Sequence, residues 1–424
     1  RNILKGMGLA AGASLLPGAL RPLYAASVAP ITIVINQSPW FESFSKTVEA
    51  YEAETGNKVE LDVNPFAGSL EKQRNSVRAS AGQYDILIMN SGWFAEMYAG
   101  GFVEAITDID PGFQLDPDVY TLGDTIYYDA GNKTMTKAGK LMSMPVSPLI
   151  PMLYYRGDLY QEAGLSAPKT FAELEANAKK FHNPPDMYGI VQRGARGPHT
   201  VAYDFYPYLY GFGGGIFKDQ ATGDYSVTLN SDHGREALDY YVRLAKEAGH
   251  PKTAAADQAE VIQAMVTGHS AHIMMVIAAW SQMDDPNKSA IVDKVEWAPT
   301  PSVEGFPTSP GLGHWLAGIS KNVPDDRKRA AVEFLRWFQT RSSRRKETRR
   351  SPSAGIGLVT TTSKWSVKAM SCPRVALSCF STRQSTRRSY LPRMKFRNQN
   401  RSGRRPRNRR LILPRLKICR LLAR

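Results

Sequence analysis

The sequence predicts an α/β protein with room for two lobes. Three observations carry this. β-Branched apolar runs alternate with amphipathic helical stretches, the alternation recurs in a second region, and 424 residues exceed what one hydrophobic core usually fills.

Ile31-Thr32-Ile33-Val34-Ile35 is a run of the kind buried in a parallel sheet. Ser38-Pro39 then offers an N-cap and a first-turn proline, and Phe41, Phe44, Val48 and Tyr51 recur at helical spacing until Gly56 closes the helix. Residues 58–63 read as a second strand, 69–81 as a helix and 84–89 as a third strand. This βαβαβ order argues for a doubly wound lobe. In the second region, residues 152–155 are strand-like and 170–182 carry Phe171, Leu174, Ala178 and Phe181 on one helical face. A helix follows Ser231 or Asp232, strands are expected at 271–276 and 315–320, and a last amphipathic helix at 324–340.

Charge divides the chain unevenly. Residues 341–424 hold 25 Lys and Arg against the single acid Glu347, which leaves 29 basic and 38 acidic residues before Arg341. The net charge of +15 therefore belongs to the tail, and the body is acidic. All three cysteines, Cys372, Cys379 and Cys419, also lie in the tail. A body without thiols suits an oxidising compartment. At the front, Arg1 and Lys5 precede a short apolar stretch and small residues ending at Ala26, the pattern of an export signal, resembling the second half of a twin-arginine type.

The order of several blocks is more specific than any of them singly. Tyr51 to Gly56 leads into Lys58 to Leu61. Tyr84-Asp85 is followed by Trp93 and by Gly100 to Glu104. Leu153 to Leu165 is followed by Pro168 to Leu174, then Phe212 to Gly215, Trp280, and Gly311 to Trp315. In this order the chain resembles family 1 of the extracellular solute-binding proteins, the sugar-capturing partners of bacterial ABC importers. The resemblance implies two α/β lobes joined by a hinge and closing on a carbohydrate, whether sugar, oligosaccharide or polyol. It also implies a periplasmic monomer that hands its ligand to a membrane permease and performs no catalysis. On this basis residues 1–26 are expected to be the signal, 27–143 with 319–340 the first lobe, and 144–318 the second. Residues 341–424 are expected to be a disordered basic tail, whose abrupt change of composition suggests a shifted reading frame.

Ligands of open parallel sheets bind beyond the carboxyl ends of strands. Carbohydrate recognition requires flat apolar faces together with orienting amides, hydroxyls or guanidinium groups. Trp40 follows the first strand, and Asn90, Ser91 and Trp93 follow the third. Arg193, Trp280, Gly313, His314 and Trp315 occupy loop or turn positions elsewhere. These nine are the candidate ligand-binding residues, whereas Tyr203 and Tyr208 read as core. Catalytic patterns are weak by comparison. His269 and His272 have no third ligand cluster, Asp284-Asp285 fall in a turn beside Pro286, and Gly211 to Gly215 lacks the Lys-Ser/Thr ending of a phosphate loop. No cofactor or metal is called for. A basic nucleic-acid-associated protein acting through residues 401–410 is the alternative class, with a glycoside hydrolase third, and the export signal argues against nucleic acid as a partner.

Overall fold

The computed structural model describes residues 30–344, except 118, 120, 198, 199 and 220–223. The expected export signal and all but the first residues of the tail therefore lie outside the described residues.

The chain opens with β1 (Ile31–Asn36), α1 (Phe41–Thr55), β2 (Val59–Asn64), α2 (Phe66–Arg78), β3 (Ile86–Asn90), α3 (Phe94–Ala99), β4 (Val103–Glu104) and α4 (Ile106–Ile109). A small hairpin, β5 (Tyr127–Tyr128) and β6 (Lys140–Leu141), precedes β7 (Ser143–Leu149). The chain then crosses into β8 (Pro151–Arg156), α5 (Gly157–Glu162), α6 (Phe171–Phe181), α7 (Val201–Gly211), β9 (Phe217–Asp219), β10 (Asp224–Val227) and α8 (Asp232–Ala248). It continues through α9 (Gln258–Val266), β11 (His272–Val276), α10 (Trp280–Met283) and β12 (Val295–Ala298), and returns as β13 (Gly313–Ser320) and α11 (Asp325–Arg344).

Two α/β lobes result. In the first, β2, β1 and β3 are parallel, and β13 joins β3 antiparallel, with β4 and β7 pairing to the other edge of β13. Helices cover both faces, so every residue of β3 is buried. The βαβαβ order puts the carboxyl ends of β1 and β3 side by side, where α1 and α3 start. Gly56 closes α1 in the left-handed region at φ 78°, its N–H donating to the Glu52 carbonyl at 2.9 Å. The start of α1 differs from expectation: the helix begins at Phe41 with Trp40 at the N-cap and no side-chain cap from Ser38.

The second lobe centres on β11–β8–β12, with β8 antiparallel to both neighbours. Its described strands pair antiparallel, so the two α/β lobes carry mixed sheets. Alternation along β8 and β11 builds two cores. Met152, Tyr154, Ile273 and Met275 face α9, and Leu153 and Met274 face Phe171, Tyr208 and Leu244 of α6, α7 and α8. Thr170 caps α6 in a full capping box with Glu173, and Ser231 caps α8.

Strand pairing moves the lobe boundary away from the expected 144 and 318. Ser143–Leu149 and Gly313–Ser320 both belong to the first-lobe sheet, so the crossings fall between Leu149 and Pro151 and between Ala298 and Gly313. The physical reason is the fully buried β13, which needs ladder partners on both edges and finds them in β3 and β7.

Candidate functional site

The carboxyl ends of the first-lobe strands form one row of polar and aromatic groups. Register places Asn64 of β2 beside Asn36 of β1, Asn90 of β3 beside Trp315 of β13, and Trp315 beside Ser147 of β7. Asn36, Asn90 and Ser147 are all buried at 1–2% exposure, which is unusual for such side chains and demands hydrogen-bond partners.

Those partners are incomplete within the chain. Among the described residues, the Asn36 Oδ1, Ser38 Oγ, Trp40 Nε1 and Ser147 Oγ atoms are buried without a hydrogen bond, and so are Arg193 Nε and Trp280 Nε1 of the second lobe. An unsatisfied buried donor or acceptor costs about 1–3 kcal/mol. Gln73 Oε1, Asp85 Oδ1, Gln192 Oε1 and Thr300 Oγ1 share this state elsewhere, so the strand-end atoms are singled out by their place in the fold.

The nine candidates fall into three groups. Trp40, Trp93 and Trp315 pack together with Phe66 beneath the strand ends. Trp315 lies 5.8 Å from Trp40 and 5.7 Å from Trp93, and Trp93 lies 4.9 Å from Phe66. All three indoles are at most 4% exposed, so they wall the site from inside. Asn90 Oδ1 accepts from the Gly92 N–H at 3.0 Å and from the Tyr203 hydroxyl of α7 at 2.9 Å, the latter contact crossing from one lobe to the other. Ser91 sits beside Gly313, where a Cβ would come within 2.7 Å of Ser91 Oγ.

Arg193 and Trp280 contribute from the second lobe. Trp280, half-buried, stacks on Tyr154 at 6.3 Å and 23°. Its neighbour Ser281 reaches the Pro39 carbonyl at 3.4 Å, which sets the Trp280 turn against the Ser38–Trp40 loop. Arg193 is held by Asp204, whose Oδ2 accepts from the Arg193 main-chain N–H at 3.1 Å and from the Tyr241 hydroxyl at 2.8 Å. Burial pushes the Asp204 carboxyl up to about 6, against the opposing pull of the Arg193 charge. His314 stands apart. It alternates with Trp315 and so points to the other sheet face, where its Nε2 lies 2.9 Å from Thr125 Oγ1 and burial lowers the imidazole to about 4.

Between the lobes and beside the crossing at Leu149–Pro151 lies a crevice bordered by Arg193, Tyr203, Asp204 and Met275. It has room for about one water molecule. A third contact spans the lobes, Lys288 Nζ to Glu42 Oε2 at 2.5 Å.

Several site residues were not singled out in sequence. Ser147 sits in a proline-interrupted segment, and Asp204 and Tyr203 lie in an aromatic stretch that reads as core, whereas Asn36 falls in the stretch after the first strand that the sequence places at the cleft. Of the two tyrosines expected in the core, Tyr208 is fully buried there, whereas Tyr203 reaches the cleft. His269 and His272 do not share a site. His272 is buried between the Gly189 carbonyl and the Tyr160 hydroxyl, and His269 contacts Thr267.

The model of the bacterial extracellular solute-binding protein family matches residues 36–344. The chain belongs to this family. Membership gives it an extracellular, solute-binding and not a catalytic role. Among curated relatives, a probable amino-acid ABC transporter periplasmic-binding protein of Sinorhizobium fredii is 24% identical over 70% of this chain and 66% of its own length. A mannitol-binding protein of Pseudomonas aeruginosa is 24% identical over 63% of this chain and 58% of its own. The chain thus spans about two thirds or less of the length of these relatives. Among solved structures, a solute-binding protein of Agrobacterium radiobacter K84 in complex with ribitol superposes with a TM-score of 0.66 at 24% identity, covering 82% of this chain and 86% of that one.

Proposed function

We propose that the protein captures a carbohydrate, a sugar, oligosaccharide or polyol, between its lobes and delivers it to the permease of an ABC transporter, acting as a monomer. The observation that supports this reading is that buried polar atoms without partners among the described residues occur at the strand ends of the first lobe, Asn36 Oδ1 and Ser147 Oγ, and in the second lobe beside the crossing, Arg193 Nε. Amide, hydroxyl and indole groups match the alternating donors and acceptors of a polyhydroxylated ligand, and Trp280 offers a ring face to its C–H surface. The named ligands of two of the similar proteins, mannitol and ribitol, are of this class.

Ligand-sized clefts occupy about 300–1,000 Å³, far more than the crevice between these lobes. Entry therefore requires the lobes to part at the two crossings, breaking the Tyr203–Asn90 and Lys288–Glu42 contacts. Closure then places Asn36, Asn90 and Ser147 on one side of the ligand and Arg193 and Trp280 on the other, and the ligand shifts the population toward the closed form.

A thermal-shift screen of the full chain against sugars, polyols and amino acids tests this. At a ligand concentration about 100 times Kd, stabilisation is about 2.7 kcal/mol, a rise of about 4 °C in Tm. A rise confined to amino acids, or none with any carbohydrate, contradicts the proposal.

A further inference from the structure

The Arg193 guanidinium carries a charge that its own bonds do not answer. The side chain is 95% buried by the measure of its 5% exposure. Its Nη2 donates to Gln258 Oε1 at 3.0 Å and meets Met275 Sδ at 3.0 Å, both neutral partners, and its Nε has no partner at all. Among the described residues no carboxylate forms an ion pair with this guanidinium. Asp204, the carboxylate beside it in the crevice, spends its Oδ2 on the Arg193 main-chain N–H and the Tyr241 hydroxyl. It thereby fixes where Arg193 stands and faces its charge through space, with no direct hydrogen bond to the guanidinium.

A buried guanidinium is ordinarily met by a carboxylate or phosphate, because desolvation makes an unanswered charge costly and because the planar fork of N–H donors fits an oxyanion. Arg193 lines the crevice next to the crossing at Leu149–Pro151, within reach of the facing lobe through Tyr203. We infer that the ligand is an acidic carbohydrate, whose carboxylate or phosphate seats on Arg193 while its hydroxyls meet Asn36, Asn90 and Ser147. The inference rests on the carbohydrate reading above and narrows it from neutral to acidic members of that class.

The test compares ligands of matched skeleton on the full chain by titration calorimetry: D-sorbitol, D-gluconate and D-sorbitol 6-phosphate. Gluconate or the phosphate, or both, should bind at least about ten-fold tighter than sorbitol, the gain of one charge-assisted pair, and whichever binds tighter tells carboxylate from phosphate. Arg193→Gln should erase that preference by weakening the favoured acid at least about ten-fold more than it weakens sorbitol, and Arg193→Lys should keep part of it. Sorbitol binding as tightly as both acids overturns the inference and leaves the carbohydrate reading standing. So does an equal loss for all three ligands in the Arg193→Gln variant. If that variant does not fold, the wild-type comparison decides alone. Absence of binding by any sugar or polyol in the broader screen overturns both.

Discussion

Trp280 and Trp315 lie on opposite sides of the cleft and should answer differently to the same truncation. Trp315 is 4% exposed and touches three aromatic rings, Trp40 at 5.8 Å, Trp93 at 5.7 Å and Phe66 at 5.9 Å. Removing it deletes a large buried volume and three ring pairs, each worth about 0.5–1.5 kcal/mol beyond area burial. Trp→Ala at such a site costs about 3–5 kcal/mol. For a protein of this size that is a fall in Tm of about 5–8 °C. Trp280 is half-buried on Tyr154 and leaves its Nε1 unsatisfied in the interlobe region. Trp280→Ala should therefore lower Tm by only a few degrees, and should weaken ligand binding by about 1–3 kcal/mol, the usual loss for a stacking anchor. Scanning calorimetry and ligand titration on both variants separate the two roles. A Trp315→Ala protein that melts within about 2 °C of wild type would refute the wall assignment. A Trp280→Ala protein with unchanged affinity and a collapsed Tm would show that Trp280 is core.

Other consequences are equally specific. Because burial raises Asp204 to about 6 in the folded chain from an unfolded value near 3.8, the folded state holds the extra proton between those values. Wild type should accordingly lose stability as pH rises from about 4 to 6, and Asp204→Asn should flatten that segment in urea-melt profiles. A double-mutant cycle of Glu42→Gln and Lys288→Met should give a coupling of about 0.2–1 kcal/mol in ligand affinity that fades by 1 M salt, since both partners are about half exposed. A salt-independent coupling would mean the pair does not act as an electrostatic clasp. Asp85, fully buried, accepts from the Thr32 main-chain N–H at 2.8 Å and from Arg327 Nη2 at 2.8 Å, tying β1 to α11. Asp85→Ala should destabilise by about 3–5 kcal/mol by leaving the Arg327 cation unanswered, with binding per folded molecule unchanged.

What was legible in sequence follows from local chemistry. β1 and β3 are continuous apolar runs because both faces are covered, and Gly56 and Thr170 announce helix ends through caps that need no tertiary partner. Trp93 and Trp315 could be placed at strand ends because strand direction alone puts them there. β7 was not legible. Pro145 and Pro148 argue against a strand, and they are tolerated because β7 is an edge strand paired only to β13. With β7 unread, Ser147 and the true crossing at Leu149–Pro151 were hidden as well. Tyr203 shares its apolar period with Tyr208, and only the meeting of α7 with the end of β3 separates a cleft residue from a core one. His314 illustrates the converse: a loop-like motif turned out to be the start of β13, and strand alternation sent the imidazole to the face away from Trp315.

The central claim, a ligand site shared by the ends of β1, β3 and β13 and the facing turn of the second lobe, is tested most directly by hydrogen–deuterium exchange with and without a carbohydrate that raises Tm. Protection should appear together in two separate parts of the chain, at residues 36–41 and 90–93 of the first lobe and at 193–204 and 277–283 of the second. Protection confined to one lobe, or spread evenly over the chain without these segments, would contradict it.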